Sequence, residues 1–226
     1  MTNDSETRAI EQADHLYAGR GDLKSVRQSV ELLRSATECF ETSWRLGRAF
    51  FFLGQEAPAA AEKRTMHAEG IKAAQHAITH QRDRVEGHFW LGVNLALLAQ
   101  LEPPMKAVSH ALQAQRSLQR AIEIDAAYHS AGPLRVLARL QHKLPRLLGG
   151  GLARARANFE RAISLAPANT VTRIYFAELL LETGEVERAG EELEAVLHML
   201  TDPDWAFEIK RDQRLAEELI RNFAAP

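Results

Sequence analysis

The chain has a single cysteine, Cys39, in 226 residues. One thiol excludes an internal disulfide framework and a cysteine-rich zinc site. Beside Phe40 it reads as a small buried hydrophobe rather than a nucleophile. Long apolar runs are also missing, and no stretch approaches the ~20 residues that a membrane helix needs. There is no basic excess: a net charge of −2 argues against a dedicated nucleic-acid binder. Strand signals are nearly absent, because β-branched alternation never persists. The start, Met1-Thr2-Asn3-Asp4-Ser5-Glu6, lacks a basic region and an apolar core, so it does not read as a signal peptide. On that reading the chain as given is cytoplasmic.

What is present is helical periodicity. Hydrophobic residues make up 46% of the chain, too many for a disordered polymer. They recur at helical spacing, as in Leu91, Leu95 and Leu98, or Phe159, Ala162 and Ile163. Breaks fall at Gly19–Asp22, Gly54–Pro58, Glu102–Pro104, Pro145–Gly151, Pro167–Asn169, Gly184 and Asp202–Asp204. The pattern predicts eleven helices, mostly paired antiparallel by short loops.

The pairs repeat. "TSWRLGRAFFFLGQ" resembles "GHFWLGVNLALLAQ", and "RVLARLQHKLP" shares its spacing with "IYFAELLLETG". A small residue recurs at Ala13, Gly47, Gly92, Ala138 and Ala177, at intervals of 34, 45, 46 and 39 residues. The second helices carry an Ala-Ile step at Ala77-Ile78 and Ala121-Ile122. "ARANFERAISLAP" has Ala155, Phe159, Ala162 and the stop Pro167. This spacing resembles the tetratricopeptide repeat (TPR). Two intervals exceed 34 by about three helical turns, so an insertion there keeps the buried stripe in phase. "APAAAEKRTMHAEG" and "PPMKAVSHALQAQ" therefore read as extensions of second helices.

The expected fold is all-α: a right-handed α-solenoid of about five TPR-like antiparallel helix pairs, two of them lengthened, closed by a C-terminal capping helix. It reads as a single domain over 1–226, with residues 1–4 disordered and the cap at 204–223. Asp204 serves as the N-cap, and Ala216, Leu219, Ile220 and Phe223 form the apolar edge.

Gly149 to Gly151 stand before a predicted helix, where phosphate-binding loops also occur. A helix rather than a strand precedes them, and Leu152-Ala153 rather than Lys-Ser follows. They read as a turn in which glycine supplies positive φ.

Several blocks carry a closer resemblance. They are His88-Phe89-Trp90-Leu91-Gly92, Gly132-Pro133-Leu134, Lys143-Leu144-Pro145 through Gly149-Gly150, and Asp202-Pro203-Asp204-Trp205. In order over about residues 25–222, they resemble the TRAP-transporter T-component (TatT) family. The same blocks are similar to the TPR domain of regulator-of-microtubule-dynamics proteins. The resemblance implies an all-helical, non-catalytic scaffold. For a T-component it further implies a periplasmic chain that partners a solute-binding protein for small organic acids. A processed or truncated chain would then lack its export signal.

TPR arrays bind along a concave face formed by first helices. Counted from the small residues, that face carries Trp44, Arg48, Phe51, Phe52, Phe89, Trp90, Val93, Asn94, Arg135, Arg139, His142, Tyr175 and Glu178. Aromatics beside two arginines one turn apart suit a protein partner, or an apolar or carboxylate-bearing small ligand. The same residues also fit repeat core and arginines paired to neighbouring acids.

No metal, cofactor or catalytic site is expected. His76 and His80 lie at i, i+4 without a third ligand nearby in sequence. No Gly-x-Ser-x-Gly elbow or acid–base carboxylate pair stands out. Charge is segregated: residues 104–175 hold eleven Lys and Arg against three Asp and Glu, and residues 176–226 hold five against thirteen. These halves are expected to pair within the chain, with self-association between copies as the alternative.

Overall fold

The structure is a computed structural model that describes residues 4–200 and 205–224. The described residues contain eleven α-helices and no strand. They are α1 (Asp4–Ala18), α2 (Leu23–Ser35), α3 (Phe40–Glu56), α4 (Ala60–His80), α5 (Val85–Ala99), α6 (Pro104–Asp125), α7 (Tyr128–Lys143), α8 (Leu152–Leu165), α9 (Thr170–Glu182), α10 (Val186–Leu197) and α11 (Ala206–Ala224). Five consecutive pairs are followed by α11. The second helices α4 and α6 run to 21 and 22 residues, against 13, 14 and 12 for α2, α8 and α10. The insertions therefore lengthen the helices the spacing pointed to.

Side chains close several helix ends. Asp22 caps α2 by accepting from the Lys24 amide at 2.9 Å, and Asn169 caps α9 by accepting from the Thr172 amide at 3.0 Å. At the start of α3 the Cys39 amide donates to Thr42 Oγ1 at 3.0 Å. Cys39 is thus a half-buried cap residue rather than the buried hydrophobe its neighbour Phe40 suggested. Helix α1 begins at Asp4. Residues 1–3, and the proposed cap Asp204, lie outside the described residues.

Three junctions, Ala36–Cys39, Gln81–Arg84 and Ala126–Ala127, contain no glycine or proline. The last is marked instead by backbone: His129, Ser130 and Ala131 have φ of 50°, 55° and 56°. Three successive non-glycine residues in the left-handed region are costly. Regular helix begins only after them, at Gly132-Pro133, where proline suits a first turn.

The chain packs as two compact units, residues 1–125 and 126–226. The first holds α1 to α6, with a core that includes Val26, Ala49, Phe50, Phe52 and Leu53. The second holds α7 to α11, around Phe159, Ile174, Phe176, Leu179, Leu180 and Leu193, with Ala216 of α11 fully buried. The recurring small residues sit at close approaches. Ala13, Ala138 and Ala177 are buried, and a Cβ on Gly92 would stand 2.6 Å from Leu118.

The glycine-rich stretch is a turn. A short 3-10 segment, Arg146–Leu148, ends at Gly149 with φ of 87°. A Cβ at Gly150 would overlap the Leu144 carbonyl oxygen. The Gly151 amide donates back to Gln141 O at 2.8 Å.

Candidate functional site

In the first unit, α1 and α3 assemble a cluster of rings and guanidinium groups. Arg48 lies over the Tyr17 ring at 4.0 Å and the Trp44 ring at 5.0 Å, and Arg45 lies over Trp44 at 4.2 Å. Asp14 on α1 holds both cations: Oδ2 accepts from Arg45 Nε at 2.9 Å and Oδ1 from Arg48 Nη2 at 2.6 Å. Glu41 accepts from Trp44 Nε1 at 2.9 Å and from Arg45 Nη1 at 2.5 Å. Burial alone would raise the Glu41 carboxyl, but these hydrogen bonds and the Arg45 charge hold it below the usual carboxylate range. Trp44, Arg45, Arg48 and Phe51 remain half-buried, with part of each reachable from solvent.

The α5 residues expected on the same face are elsewhere. Phe89, Trp90, Val93 and Asn94 are all buried, with Asn94 at 0% exposure, and Phe52 of α3 is buried as well. A side chain without exposed surface cannot meet a partner unless the pairs open, so these five form core rather than groove lining. The reason is that α5 is apolar on nearly every side. Counting from Gly92 could not tell which side faced solvent.

Asn94 instead centres a buried polar network. Its Nδ2 donates to Trp90 O at 2.8 Å and to Gly47 O at 3.1 Å, while Oδ1 stands 3.1 Å from His67 Nδ1. Glycines make room for it. A Cβ at Gly70 would lie 2.5 Å from Asn94, and one at Gly54 would lie 2.5 Å from His67. Burial pushes the His67 pKa down, against the Asn94 hydrogen bond. Helices α3, α4 and α5 are thereby tied by hydrogen bonds that nothing in the sequence periodicity marks.

In the second unit, α7 and α9 face each other through ion pairs. Arg139 donates to Glu178 Oε2 at 2.6 Å and stacks on Tyr175 at 4.4 Å. Lys143 approaches Glu178 at 3.9 Å and Glu182 at 3.7 Å. His142, buried, is 2.8 Å from Glu182. Burial pushes the His142 pKa down despite that carboxylate. Arg135 is also buried, and its Nη1 donates to Ser130 O at 3.0 Å, bracing the left-handed turn. Burial lowers its pKa to about 10, opposed by Tyr175 and Asp212, so it stays protonated. Asp212 of α11 is buried too. Its Oδ2 accepts from Thr170 at 2.6 Å, yet burial still raises its carboxyl.

Of the residues expected on the face, Trp44, Arg48 and Phe51 come together in the first unit, and Arg139, Tyr175 and Glu178 in the second. Arg135 and His142 turn inward. The two arginines do not share a free anion site: Arg139 is paired with Glu178, and Arg135 is buried against Ser130 O. In-chain partners also meet part of the segregated charge within the second unit. The basic middle pairs with the acidic end through Arg139–Glu178, His142–Glu182, Arg156–Glu185 and Arg173–Glu192.

His76 and His80 meet Glu38, at 3.1 and 3.6 Å, an acid that sequence spacing did not place near them. Among the described residues no group of three His, Cys, Asp or Glu is placed to hold a metal ion. Nor is any helix among them long and apolar enough to cross a membrane.

Comparison with known proteins follows the same lines. The described second-unit helices overlap residues 150–206, which match the tetratricopeptide repeat. The crystal structure of a thermophilic TPR protein in Thermus thermophilus is similar to this chain with a TM-score of 0.70 at 17% sequence identity. The likeness covers 94% of this chain and 99% of that one. At that identity it shows the fold alone. No curated protein matches. Residues 9–134, more than half of the chain, match the family described as regulator of microtubule dynamics protein 1-3. The chain thus belongs to the regulator of microtubule dynamics protein 1-3 family, built on TPR-type helix pairs.

Proposed function

We propose that the protein is a non-catalytic scaffold that binds a protein partner through the exposed parts of its first helices. The observation that carries this reading is the cluster on α1 and α3. Trp, Tyr and Arg are the residues that dominate binding energy at interfaces. Here Tyr17, Trp44, Arg45 and Arg48 are stacked and salt-bridged before any partner arrives. Such preorganisation lowers the entropy that binding must overcome. The partner segment best suited presents an apolar side chain beside a carboxylate or carbonyl. The first packs on Trp44, and the second reaches guanidinium N–H groups not taken by Asp14.

A small apolar or carboxylate ligand is the narrower form of the same reading. The stacked Arg139 and Tyr175 favour it, and Glu178 is the group that such a carboxylate would displace. The T-component role rests on the quoted sequence blocks alone. The family's description concerns microtubule dynamics, and co-sedimentation with polymerised tubulin tests whether that description extends to this chain. The direct test of the surface is a Trp44→Ala/Arg48→Ala variant of the full chain, measured by calorimetry against a purified copurifying protein. Binding is expected to weaken with the helical circular-dichroism spectrum unchanged. Equal affinity in wild type and variant would reject this surface.

A further inference from the structure

The turn between α7 and α8 presents a leucine to water on rigid backbone. Leu147 is 99% exposed. The loop that carries it is hydrogen-bonded throughout: Leu148 N to Pro145 O at 2.9 Å, Gly149 N to Arg146 O at 3.1 Å, and Gly151 N to Gln141 O at 2.8 Å. Arg154 Nη2 ties down Gly150 O at 2.8 Å. An apolar side chain fixed at the tip of a stiff turn has little left to lose in entropy when a surface covers it. The chain around the tip is basic in sequence, although Arg139, Lys143 and Arg156 already meet Glu178, Glu182 and Glu185. Residues 126–159 contain six Lys and Arg and no Asp or Glu. Arg146 and Arg154 are exposed beside the tip.

The complementary surface lies on α10. Glu187, Glu191 and Glu194 are exposed, along with Val186 at 41%. Glu187 and Glu191 form no ion pair among the described residues, unlike Glu185 and Glu192. Between them stands Gly190, where an added Cβ would meet nothing within 4 Å. A glycine inside a helix costs stability relative to other residues. No close contact among the described residues explains it. The acids and the glycine leave an acid-edged stretch of α10 with open space at its middle, where a leucine side chain meets no obstruction.

We propose that two copies of this chain associate through these faces, the Leu147 turn of each seated on the Gly190 face of the other. The register of the second unit allows the reciprocal contact. Arg156 of α8 pairs with Glu185, and Glu160 pairs with Arg188 of α10, so α8 and α10 run parallel. The turn before α8 therefore lies at the same end of the unit as the start of α10. A turn and an α10 face at the same end of the unit allow each copy to contribute both to a closed two-fold contact. Arg146 and Arg154 then face Glu187 and Glu191 across the interface, where charge complementarity fixes register.

Sedimentation equilibrium of the full chain over a range of concentrations tests this. The expected result is a monomer–dimer equilibrium that shifts toward monomer as salt rises. Leu147→Asp is expected to raise the dissociation constant at least about tenfold. Gly190→Lys is expected to do the same while the melting temperature holds or rises, because the added side chain enters open space on a helix. Arg146→Glu weakens the dimer, and adding Glu187→Arg to it restores association. A protein that stays monomeric at every concentration overturns the proposal, leaving the turn to a different partner. A dimer indifferent to both Leu147→Asp and Gly190→Lys overturns it equally, as does failure of the charge swap to restore association.

Discussion

At the scale of single residues, His67 and Asn94 carry more structural weight than their count suggests. Asn94→Ala removes the partner of His67 and two donors to backbone carbonyls in a site with no water-exposed surface. We expect a loss of about 2–4 kcal/mol in urea unfolding. The histidine also sets a pH dependence. Its folded pKa lies below the unfolded value, so the unfolded chain binds the proton more readily. Its stabilising contribution is therefore complete above about pH 6.5 and is lost as pH falls below that value and through the lower folded pKa. His142 shifts in the same direction and adds to the slope. Urea titrations between about pH 7 and pH 5 should show stability falling, and His67→Gln should flatten part of that fall. Ser130 offers the opposite kind of change. With φ of 55°, it holds a conformation that glycine adopts freely. Ser130→Gly is expected to stabilise the protein by about 1 kcal/mol, read as a higher melting temperature.

At the scale of elements, most of the fold was legible because helical period and turn chemistry agreed. Proline or glycine marked six of the described junctions, and the small-residue spacing gave the pairing and the two long second helices. The candidate face was less legible. Its register is readable only where a helix has a polar side. Trp44, Arg48 and Phe51 on α3 kept some exposure, while Phe89, Trp90 and Asn94 on the apolar α5 did not. Long-range pairs were also hidden: Asp14 with Arg45 and Arg48, or Arg139 with Glu178, depend on helices brought together across dozens of residues. The Pro145–Gly151 turn gives a test at this scale. Gly150→Ala is expected to cost several kcal/mol or prevent folding, since the new methyl overlaps the Leu144 carbonyl. Gly149→Ala, where φ is 87°, should cost about 1 kcal/mol through backbone strain. Thermal denaturation that ranks the two alike would contradict the turn geometry.

At the scale of the whole molecule, the eleven helices of the described residues, family membership and the TPR fold converge on an interaction scaffold, and the aromatic–arginine cluster on α1 and α3 supplies its candidate contact. Arg45 and Arg48 there, and Arg139 on α7, are already paired with in-chain acids, so binding is expected to depend on stacking and shape more than on net charge. The measurement that bears most directly on this is calorimetric titration of the full chain with a purified protein that copurifies from its native cell. It compares wild type with Trp44→Ala/Arg48→Ala. The expected result is wild-type binding with affinity lowered at least about tenfold in the variant, the effect of losing an interface anchor. Identical titration curves for a variant whose helical spectrum is unchanged would contradict the account.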